Sequence, residues 1–255
     1  MQDKFSQLVR NLPTKIIGRK ICYYPLLFST MDIAREKALN QEEEGTVVVA
    51  GHQSGGRGRK GRHWHSPEGN MSLSIICYPG EAQVTELIMC GALSVLYSIE
   101  ELGINKAGIK WPNDILIDGK KVSGILVESQ IVAGGVSYAV VGIGINANTG
   151  IGNLESSVIL PTNLAGEKGQ QVDLVRLAGE VILNFDLLYT RLKDGESLLD
   201  DWRSRLVTLG RNVTVERGSG TMKGLARDVN ADGNLLVLLE SGEEIVVSAG
   251  DVYLE

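Results

Sequence analysis

A turn dipeptide near the middle of the chain places the strongest constraint on its fold. The segment DILIDGKKVSGILVES, residues 114–129, has an apolar run on each side of Asp118-Gly119. Asp-Gly readily adopts the positive φ angles of a two-residue hairpin turn, and between apolar runs it is the strongest short hairpin signal. We therefore predict two antiparallel strands that meet at this turn.

Further strands and helices predict an α+β fold with a mixed sheet. Apolar runs that predict strands occur in TVVVAGHQ, MSLSIICYP and VSYAVVGIGINAN. Residues 84–103 carry apolar side chains at helical spacing and end at a glycine, which predicts a long amphipathic helix. We predict a second long helix over residues 173–192, a shorter one near 197–206, and one that begins at Ser29-Thr30, which are good N-cap types.

The sequence pattern changes from about Arg211 onward. Four short strand patterns, NVTVERG, MKGLARDV, NLLVLLE and EIVVSAG, are separated by turn-forming GSG, ADGN and SGEE. About 45 residues are too few for much core of their own. We therefore divide the chain into a main domain, residues 1–208, and a small all-β domain, residues 209–255.

Composition excludes several classes of protein. The 255 residues carry a net charge of -6, which argues against a general nucleic-acid binder. The three cysteines are widely spaced and include no CxxC, so we expect reduced thiols. The sequence has neither a signal-peptide pattern nor an apolar run of about 18 residues, and we expect a cytoplasmic protein without a membrane span.

One segment is strongly cationic although the chain is acidic. In GGRGRKGRHWHSPEGN, residues 55–70, the side chains of Arg57, Arg59, Lys60 and Arg62 alternate with glycines. The GxGxxG spacing is present, but no helix follows it, so the dinucleotide-binding pattern is incomplete. A P-loop would need Lys-Ser/Thr where this chain has Arg62-His63. We predict a loop that gains order around a polyphosphate or acyl phosphate, the alternative being a solvated loop without a ligand.

The three histidines do not predict a metal site. His52, His63 and His65 lie in or before the basic loop, but no carboxylate or thiolate stands beside them in the sequence. Incidental surface histidines are the simpler interpretation.

The predicted hairpin carries a second group of charged residues. Asp114 lies just before its first strand, and Lys120 and Lys121 follow the turn. The returning strand can bring Lys121 toward Asp114, and a carboxylate at hydrogen-bond distance would keep that lysine charged and oriented. Considered beside the basic loop, a functional pair and an exposed Lys-Lys turn are about equally favoured.

Three segments together resemble a known family. GGRGRKGRHWHSPEGN, KWPNDILIDGKKVSGILVE and GIGINAN occur in this order, and they closely resemble the signature segments of the biotin protein ligases. The resemblance runs from about Ser29 to the C-terminus. It implies a catalytic domain related to class II aminoacyl-tRNA synthetases and an SH3-like C-terminal domain. It also implies that biotin and ATP, with Mg²⁺, form biotinyl-5′-AMP, and that biotin is transferred to a lysine of a biotin carboxyl carrier protein.

The resemblance also implies roles for individual residues. The biotin-binding residues would be Ser29, Thr30, Gln53, Arg57, Trp64, Lys121 and Gly124. The nucleotide-binding residues would be Arg57, Arg59, Lys60, Arg62, Asn113 and Asn146. Lys121, Arg59 and Asp114 would be catalytic, with Lys121 touching both the biotin carboxylate and the α-phosphate and Asp114 a candidate base for the transfer step. No protein ligand to a metal is predicted.

The chain departs from the family pattern in two places. Met31 stands where the family commonly has asparagine, which alters the edge of the expected biotin pocket. Only 28 residues precede Ser29, fewer than a helix-turn-helix domain needs, so we expect a ligase that does not bind DNA. Monomer and homodimer stay equally open.

Two rival functions differ in substrate or in class. A lipoate or octanoate ligase of the same superfold would share the chemistry, but the long GRGRxGRxW loop favours biotin. A non-catalytic adapter that binds a nucleotide through the basic loop would need neither Lys121 nor Asp114.

Overall fold

The structure is a computed structural model that describes residues 5, 7–8, 12–132, 135–149, 159–217, 220–248 and 250–255. Its strands are β1 (Ile21–Tyr24), β2 (Val47–Ala50), β3 (Met71–Cys77), β4 (Ala107–Lys110), β5 (Asp114–Ile117), β6 (Lys120–Val132), β7 (Gly135–Ile145), β8 (Asn212–Arg217), β9 (Gly220–Val229), β10 (Leu235–Leu239), β11 (Glu244–Val247) and β12 (Asp251–Leu254). Its α-helices are α1 (Thr30–Leu39), α2 (Leu87–Glu101), α3 (Leu164–Lys168), α4 (Leu174–Lys193) and α5 (Leu199–Ser204).

Seven strands form the main sheet in the order β1-β2-β3-β7-β6-β5-β4. The β1–β2 pair is parallel and the other pairs are antiparallel, which makes the sheet mixed. The predicted hairpin is β5–β6, with Asp118 at φ 48° and Gly119 at φ 78° in its turn. The predictions of this hairpin and of a mixed α+β fold are confirmed.

The two faces of the main sheet are covered differently. Helices α2 and α4 belong to the large hydrophobic core with the odd-numbered side chains of β3, such as Leu73 and Ile75. On the other face, Met31 and Ala34 of α1 pack with Ile76 and its neighbours in a smaller cluster. This second face therefore has only partial cover, and the candidate site lies beside α1.

The C-terminal sheet is antiparallel, in the order β11-β10-β9-β8-β12. Its buried residues, such as Val213 and Val237, belong to the same hydrophobic core as the main sheet. The Trp111 indole N–H donates to the carbonyl of Gly233 at 2.9 Å. The continuous core and this hydrogen bond, which reaches the turn between β9 and β10, hold the C-terminal sheet against the main sheet. An all-β C-terminal region was predicted correctly, whereas the division between residues 208 and 209 stays a prediction.

Several elements escaped prediction. Strands β1, β4 and β12, of four residues, and helix α3, of five, give little periodic signal and were not predicted, although the equally short β2, β5 and β11 were. Helix α2 begins at Leu87 and not at Val84, because residues Glu81–Gln83 form a 3-10 turn. None of the helices in the described ranges is long and apolar enough to cross a membrane.

Candidate active site

The partly covered face of the main sheet forms the floor of a cavity of about 440 Å³. This volume is in the range of sites for small molecules. The basic loop, the β5–β6 hairpin and residues Gly250–Tyr253 enclose it. Of the site residues predicted from the sequence, all line the cavity except Lys60.

A row of residues that face one another across adjacent strands forms the floor. The strand registers pair Ser72 with Gly144, Gly144 with Gly124, Gly124 with Asp114, and Asp114 with Lys110. Directly paired residues lie on the same face of a sheet, and neighbouring strands are about 4.8 Å apart. The floor therefore runs from a polar end at Ser72, across two glycines, to a charged end at Asp114 and Lys110.

The indole of Trp64 lies on the glycines of this row. A Cβ added to Gly144 would come within 2.4 Å of the Trp64 ring, and one added to Gly124 within 3.3 Å. Any side chain at residue 144 would therefore displace either the Trp64 ring or the backbone of residue 144 itself. Glycine at this position is a steric requirement of the closed loop.

Hydrogen bonds between buried groups fix the polar end of the cavity. The backbone N–H and the hydroxyl of Thr30 donate to Gln53 Oε1 at 2.7 and 3.1 Å. The Ser74 hydroxyl donates to Thr30 Oγ1 at 2.8 Å. Met31 packs against Gly142, where an added Cβ would lie 2.5 Å from its Sδ. Met31 thus makes this edge of the pocket apolar.

The hairpin brings Lys121 to Asp114. Their Nζ and Oδ1 atoms lie 2.7 Å apart, and the same ammonium lies 5.5 Å from the centre of the Trp64 ring. Lys121 pairs with Leu116 in the sheet, after a bulge that follows Ile115. The two charged side chains therefore lie close together, as expected. Of the two lysines after the turn, only Lys120 is directed away from the cavity toward the surface.

Acidic side chains from distant parts of the chain hold the first arginine of the basic loop. Arg57 contacts Asp32 at 2.8 Å, Glu128 at 3.3 Å and the Ser29 hydroxyl at 3.3 Å. The hydrogen bond to Asp32 is the main cause of a raised pKa of Arg57, although burial opposes it. Ser29 occupies the N-cap position of α1, but its side chain makes no cap hydrogen bond, because its hydroxyl accepts from Arg57.

Arg59 points deeper into the site. Its guanidinium donates to Asn113 Oδ1 at 3.0 Å and to the carbonyl of Gly250 at 3.4 Å. Burial lowers the pKa of Arg59, with the charges of Asp251 and Asp114 acting in the opposite direction. The guanidinium therefore contacts two neutral oxygens and, among the described residues, forms no ion pair with a carboxylate, which leaves its charge available to an anion.

The outer cations of the loop bind the C-terminal sheet. Lys60 lies 3.0 Å from Asp251, and Arg62 forms an ion pair with the same carboxylate. Burial would raise the pKa of Asp251, but the hydrogen bonds from Lys60 and Arg62 outweigh it and the pKa is lowered. The first residue of β12 thus anchors the loop.

Two asparagines support the hairpin from within the site. Asn113 donates to the carbonyl of Ile125 at 2.8 Å. Asn146 is buried and donates to the carbonyl of Lys121 at 3.4 Å. Both side chains therefore help to fix the strand that carries Lys121.

Positive charge dominates the cavity. Among the described residues that line it are five Lys and Arg side chains and two carboxylates, whereas the whole chain has a net charge of -6. His63 and His65 lie at the mouth, but the described part of the chain has no cluster of three or more metal-ligating side chains. The cavity is therefore suited to an anionic ligand.

Some residues of this site were not identified from the sequence. Asp32, Glu128 and Asp251, the partners of the loop, come from three separate elements, and no local pattern links them to it. Lys110 also lines the cavity. Its place directly before Trp111-Pro112 in a predicted signature segment was the available signal.

Comparison with known proteins identifies the family. Residues 23–146 match the model of the Biotin/lipoate A/B protein ligase family, and residues 208–254 that of the Biotin protein ligase C terminal domain. The Bifunctional ligase/repressor BirA of Bacillus subtilis is 34% identical over 252 residues, which cover 96% of this chain and 77% of that protein. The Biotin--[acetyl-CoA-carboxylase] ligase of Paracoccus denitrificans is 31% identical over 218 residues, 79% of this chain and 88% of that protein.

A solved structure agrees with these relatives. The biotin protein ligase from Aquifex aeolicus in complex with biotin and ATP superposes with a TM-score of 0.76 at 27% identity, and the match covers 93% of this chain and 99% of that chain. The similarity extends over the main sheet and the C-terminal sheet alike. This chain belongs to the biotin protein ligase family.

Proposed function

We propose that this protein is an ATP-dependent ligase that activates biotin as biotinyl-5′-AMP and transfers it to a lysine of a biotin carboxyl carrier protein. The order of groups along the cavity floor carries this proposal: a neutral polar end, a glycine floor under Trp64, and then the Lys121–Asp114 pair. A ligand with a polar ring, an apolar tail and a terminal carboxylate matches that order. The Aquifex aeolicus structure contains biotin and ATP, which is the pair of substrates proposed here.

Biotin would lie along the floor with its ring at the polar end. Ser29, Thr30 and Gln53 would contact the ring, because their buried hydroxyl and amide groups can pair with the polar ureido atoms. The tail would cross Gly124 beneath Trp64, where a side chain on the floor would take its space. Its carboxylate would then meet Lys121, and Arg57, which contacts the Ser29 hydroxyl at 3.3 Å, would border the biotin site at the ring end.

In the first step a biotin carboxylate oxygen attacks the α-phosphorus of ATP. A bond forms between that oxygen and the phosphorus, the bond from the α-phosphorus to the bridging oxygen breaks, and pyrophosphate leaves. Two anions must approach, and charge increases on the phosphoryl oxygens. Lys121 and Arg59 offset this charge, and one such preorganised contact is typically worth about 3 kcal/mol.

The remaining nucleotide-binding residues form the rest of the shell. Asn113 and Asn146 support the hairpin from the floor, and we place Asn146 near the adenosine. Lys60 and Arg62 would keep the loop closed by way of Asp251. A closed loop excludes water from the mixed anhydride, which is prone to hydrolysis.

In the second step the amine of the acceptor lysine attacks the biotinyl carbonyl carbon, and AMP leaves. The amine must lose a proton, and Asp114 is the proposed base because its carboxylate lines the cavity beside Lys121. Lys121 would at the same time neutralise the departing phosphate.

Mg²⁺ would enter the site with ATP. In nucleotide sites this ion is usually held by substrate phosphates and one or two carboxylates, and not by a cage of protein ligands. Asp114 is a cavity-lining carboxylate on the strand proposed to face the phosphates, so the residues present fit that modest requirement. Bound there, the ion would neutralise phosphate charge.

Further proposals concern the location, the domains and the assembly of the protein. We propose that it acts in the cytoplasm, that residues 1–208 and 209–255 are separate domains, and that it does not bind DNA. The last point rests on the acidic net charge and is tested by a gel-shift assay with biotin operator DNA, where a specific complex would contradict it. Sedimentation of the ligand-free and the biotin-bound protein would distinguish a monomer from a homodimer.

The decisive experiment is the exchange of labelled pyrophosphate into ATP, with biotin and with lipoate in parallel. We expect exchange with biotin only. Exchange with lipoate would retain the mechanism and change the substrate. Folded protein that binds ATP but shows no exchange with either acid would instead support a nucleotide-binding adapter.

A further inference from the structure

Lys110 is a buried cation that the mechanism above does not use. It is the last residue of β4, only 7% of its surface is exposed, and it lines the cavity. Within the described ranges, no hydrogen-bond or ion-pair partner of its Nζ atom is present, although the two lysines of the β5–β6 hairpin, Lys120 and Lys121, are both paired. The side chain is largely buried while its ammonium is open to the cavity, and an unpaired lysine in such a place is costly and rare unless a ligand neutralises it.

The backbone around Lys110 is firmly held. The Ile109 N–H donates to the carbonyl of Arg205, and the Val207 N–H donates to the carbonyl of Ile109, each at 2.9 Å. The Trp111 N–H donates to Thr208 Oγ1, also at 2.9 Å. These contacts on both sides fix the strand end, so Lys110 cannot reach bulk solvent by a shift of the main chain.

The nearby carboxylates are already occupied. Asp114 faces Lys110 in the sheet register, but its Oδ1 atom is paired with Lys121. Asp251 is paired with Lys60 and Arg62. Burial lowers the pKa of Lys110. The charges of Asp114 and Asp251 raise this pKa, whereas those of Lys121 and Arg59 lower it further. An incoming anion would therefore offset the repulsion of Lys110 by Lys121 and Arg59 and would also pair with the Lys110 ammonium.

The position of Lys110 indicates which anion it would meet. Along the floor, Lys110 lies one strand beyond Asp114, about 4.8 Å farther from the glycine floor. If the biotin carboxylate and the α-phosphate meet at Lys121, then the next phosphates of a triphosphate extend toward β4. The residues Gly250 and Asp251 close the cavity, and Asp251 is within electrostatic range of Lys110.

We infer that Lys110 binds the β- and γ-phosphates of ATP and stabilises pyrophosphate as the leaving group. The inference rests on the proposed function and assigns Lys110 to one of its two half-reactions. When the bond between the α-phosphorus and the bridging oxygen breaks, its electron pair stays on that oxygen, and the Lys110 ammonium offsets the new charge without giving up its proton. Biotinyl-5′-AMP carries no such group, so Lys110 acts in adenylate formation and not in transfer.

The test separates the two half-reactions in one variant. Lys110→Met keeps the length of the side chain and removes its charge. We expect biotin-dependent pyrophosphate exchange to fall about 100-fold, in line with the loss of one preorganised charge contact. Inhibition by added pyrophosphate should weaken in parallel. Transfer from purified biotinyl-5′-AMP to a carrier domain should stay within about threefold of the wild type, because no contact to the adenylate is lost.

A matched control lies just before the same strand. Lys106 is 74% exposed and paired with Asp118 outside the cavity, so Lys106→Met should leave both half-reactions unchanged. Lys110→Gln, which keeps a polar side chain, provides a second variant if the methionine variant does not fold. Thermal unfolding and biotinyl-5′-AMP binding of each variant identify a general loss of structure.

Each result decides the inference. An equal loss in both half-reactions would make Lys110 a structural residue, and a loss confined to transfer would make it a base for the acceptor amine; either result overturns it, as does an unchanged exchange rate. Failure of the proposed function looks different, because the wild-type protein itself would then show no exchange with biotin.

Discussion

The basic loop, residues 55–70, and the β5–β6 hairpin bring the same kind of side chain to one cavity, but they hold it by different means. In the hairpin, Lys121 is part of a strand, and its N–H donates to the carbonyl of Leu160 at 2.8 Å. In the loop, Arg57 depends on Asp32 and Glu128, and Arg62 depends on Asp251. The hairpin cation is held by its own strand and by a carboxylate of the same hairpin, Asp114, whereas Arg57 and Arg62 of the loop are held by acidic side chains from other parts of the chain.

This difference has a chemical consequence. A cation on a strand is preorganised for the reacting atoms and needs no rearrangement when charge develops. A loop cation that is paired with a carboxylate of another element can exchange that partner for an anionic ligand, so the loop can close over a substrate and open for a product. The hairpin is therefore suited to catalysis and the loop to capture.

The largest effect should follow removal of the fixed charge. Lys121→Ala should reduce biotin-dependent pyrophosphate exchange by a factor of about 100 to 1,000, because one preorganised contact at the reacting centre is lost. The fold should survive, which circular dichroism and thermal unfolding would show. The matched control is Lys120→Ala, which removes a surface pair with Glu167 and should leave exchange unchanged. Normal exchange by Lys121→Ala would contradict the assigned role.

The floor beneath the loop gives the next largest effect. Gly144→Ala places a methyl group 2.4 Å from the present position of Trp64. Because the ring and the floor are both tightly packed, we expect the loop to be displaced and the KM for biotin to rise at least about tenfold, the range that steric changes in packed sites produce.

Gly166→Ala is the control for this substitution. Gly166 lies in α3 away from the cavity, and its added Cβ would make only an ordinary contact at 3.4 Å. It should leave the KM for biotin unchanged. If Gly144→Ala also leaves this constant unchanged, the glycine floor does not control the position of Trp64.

Two isosteric substitutions, each of which removes a negative charge, test the difference between loop and hairpin directly. Asp114→Asn weakens the orientation of Lys121 and should slow exchange about tenfold, in proportion to a buried charged hydrogen bond. Glu128→Gln removes a competitor for Arg57 and should lower the KM for biotin by up to about fivefold, the limit for a partly exposed ion pair. Steady-state exchange kinetics measure both effects. If Glu128→Gln instead raises the KM for biotin, the loop carboxylates support the ligand site and do not compete with it.

The same difference explains how far the site could be predicted. The hairpin was predictable because its turn, its strands and the Lys121–Asp114 contact all lie within residues 114–132. Gly144 lies in the segment GIGINAN, but its steric role could not be predicted there, because that role depends on a ring that lies 80 positions earlier in the sequence. Asp251 pairs with Lys60 across the two sheets, and only the folded chain brings them together.

The smallest effect concerns the attachment of the loop to β12, and its sign depends on pH. The pKa of Asp251 is lowered because its hydrogen bonds with Lys60 and Arg62 outweigh burial. A carboxyl group with a lowered pKa stabilises the folded state above its unfolded pKa of about 3.9, and this contribution is lost as the pH falls through the lower, folded value. Lys60 and Arg62 are 52% and 59% exposed, so solvent screening limits the contribution to about 1 kcal/mol.

Asp251→Asn should therefore lower the melting temperature by about 2 °C at pH 7. The difference from the wild type should shrink below about pH 4 and disappear once the wild-type carboxyl is protonated. Thermal unfolding of both proteins across pH 3–8 measures it, with Asp118→Asn, at an exposed surface pair, as the control. A constant difference at every pH would mean that Asp251 acts by packing and not by charge. A difference that follows the expected profile, without loss of exchange activity, would show that Asp251 restrains the loop by its charge and does not contribute to the reacting centre.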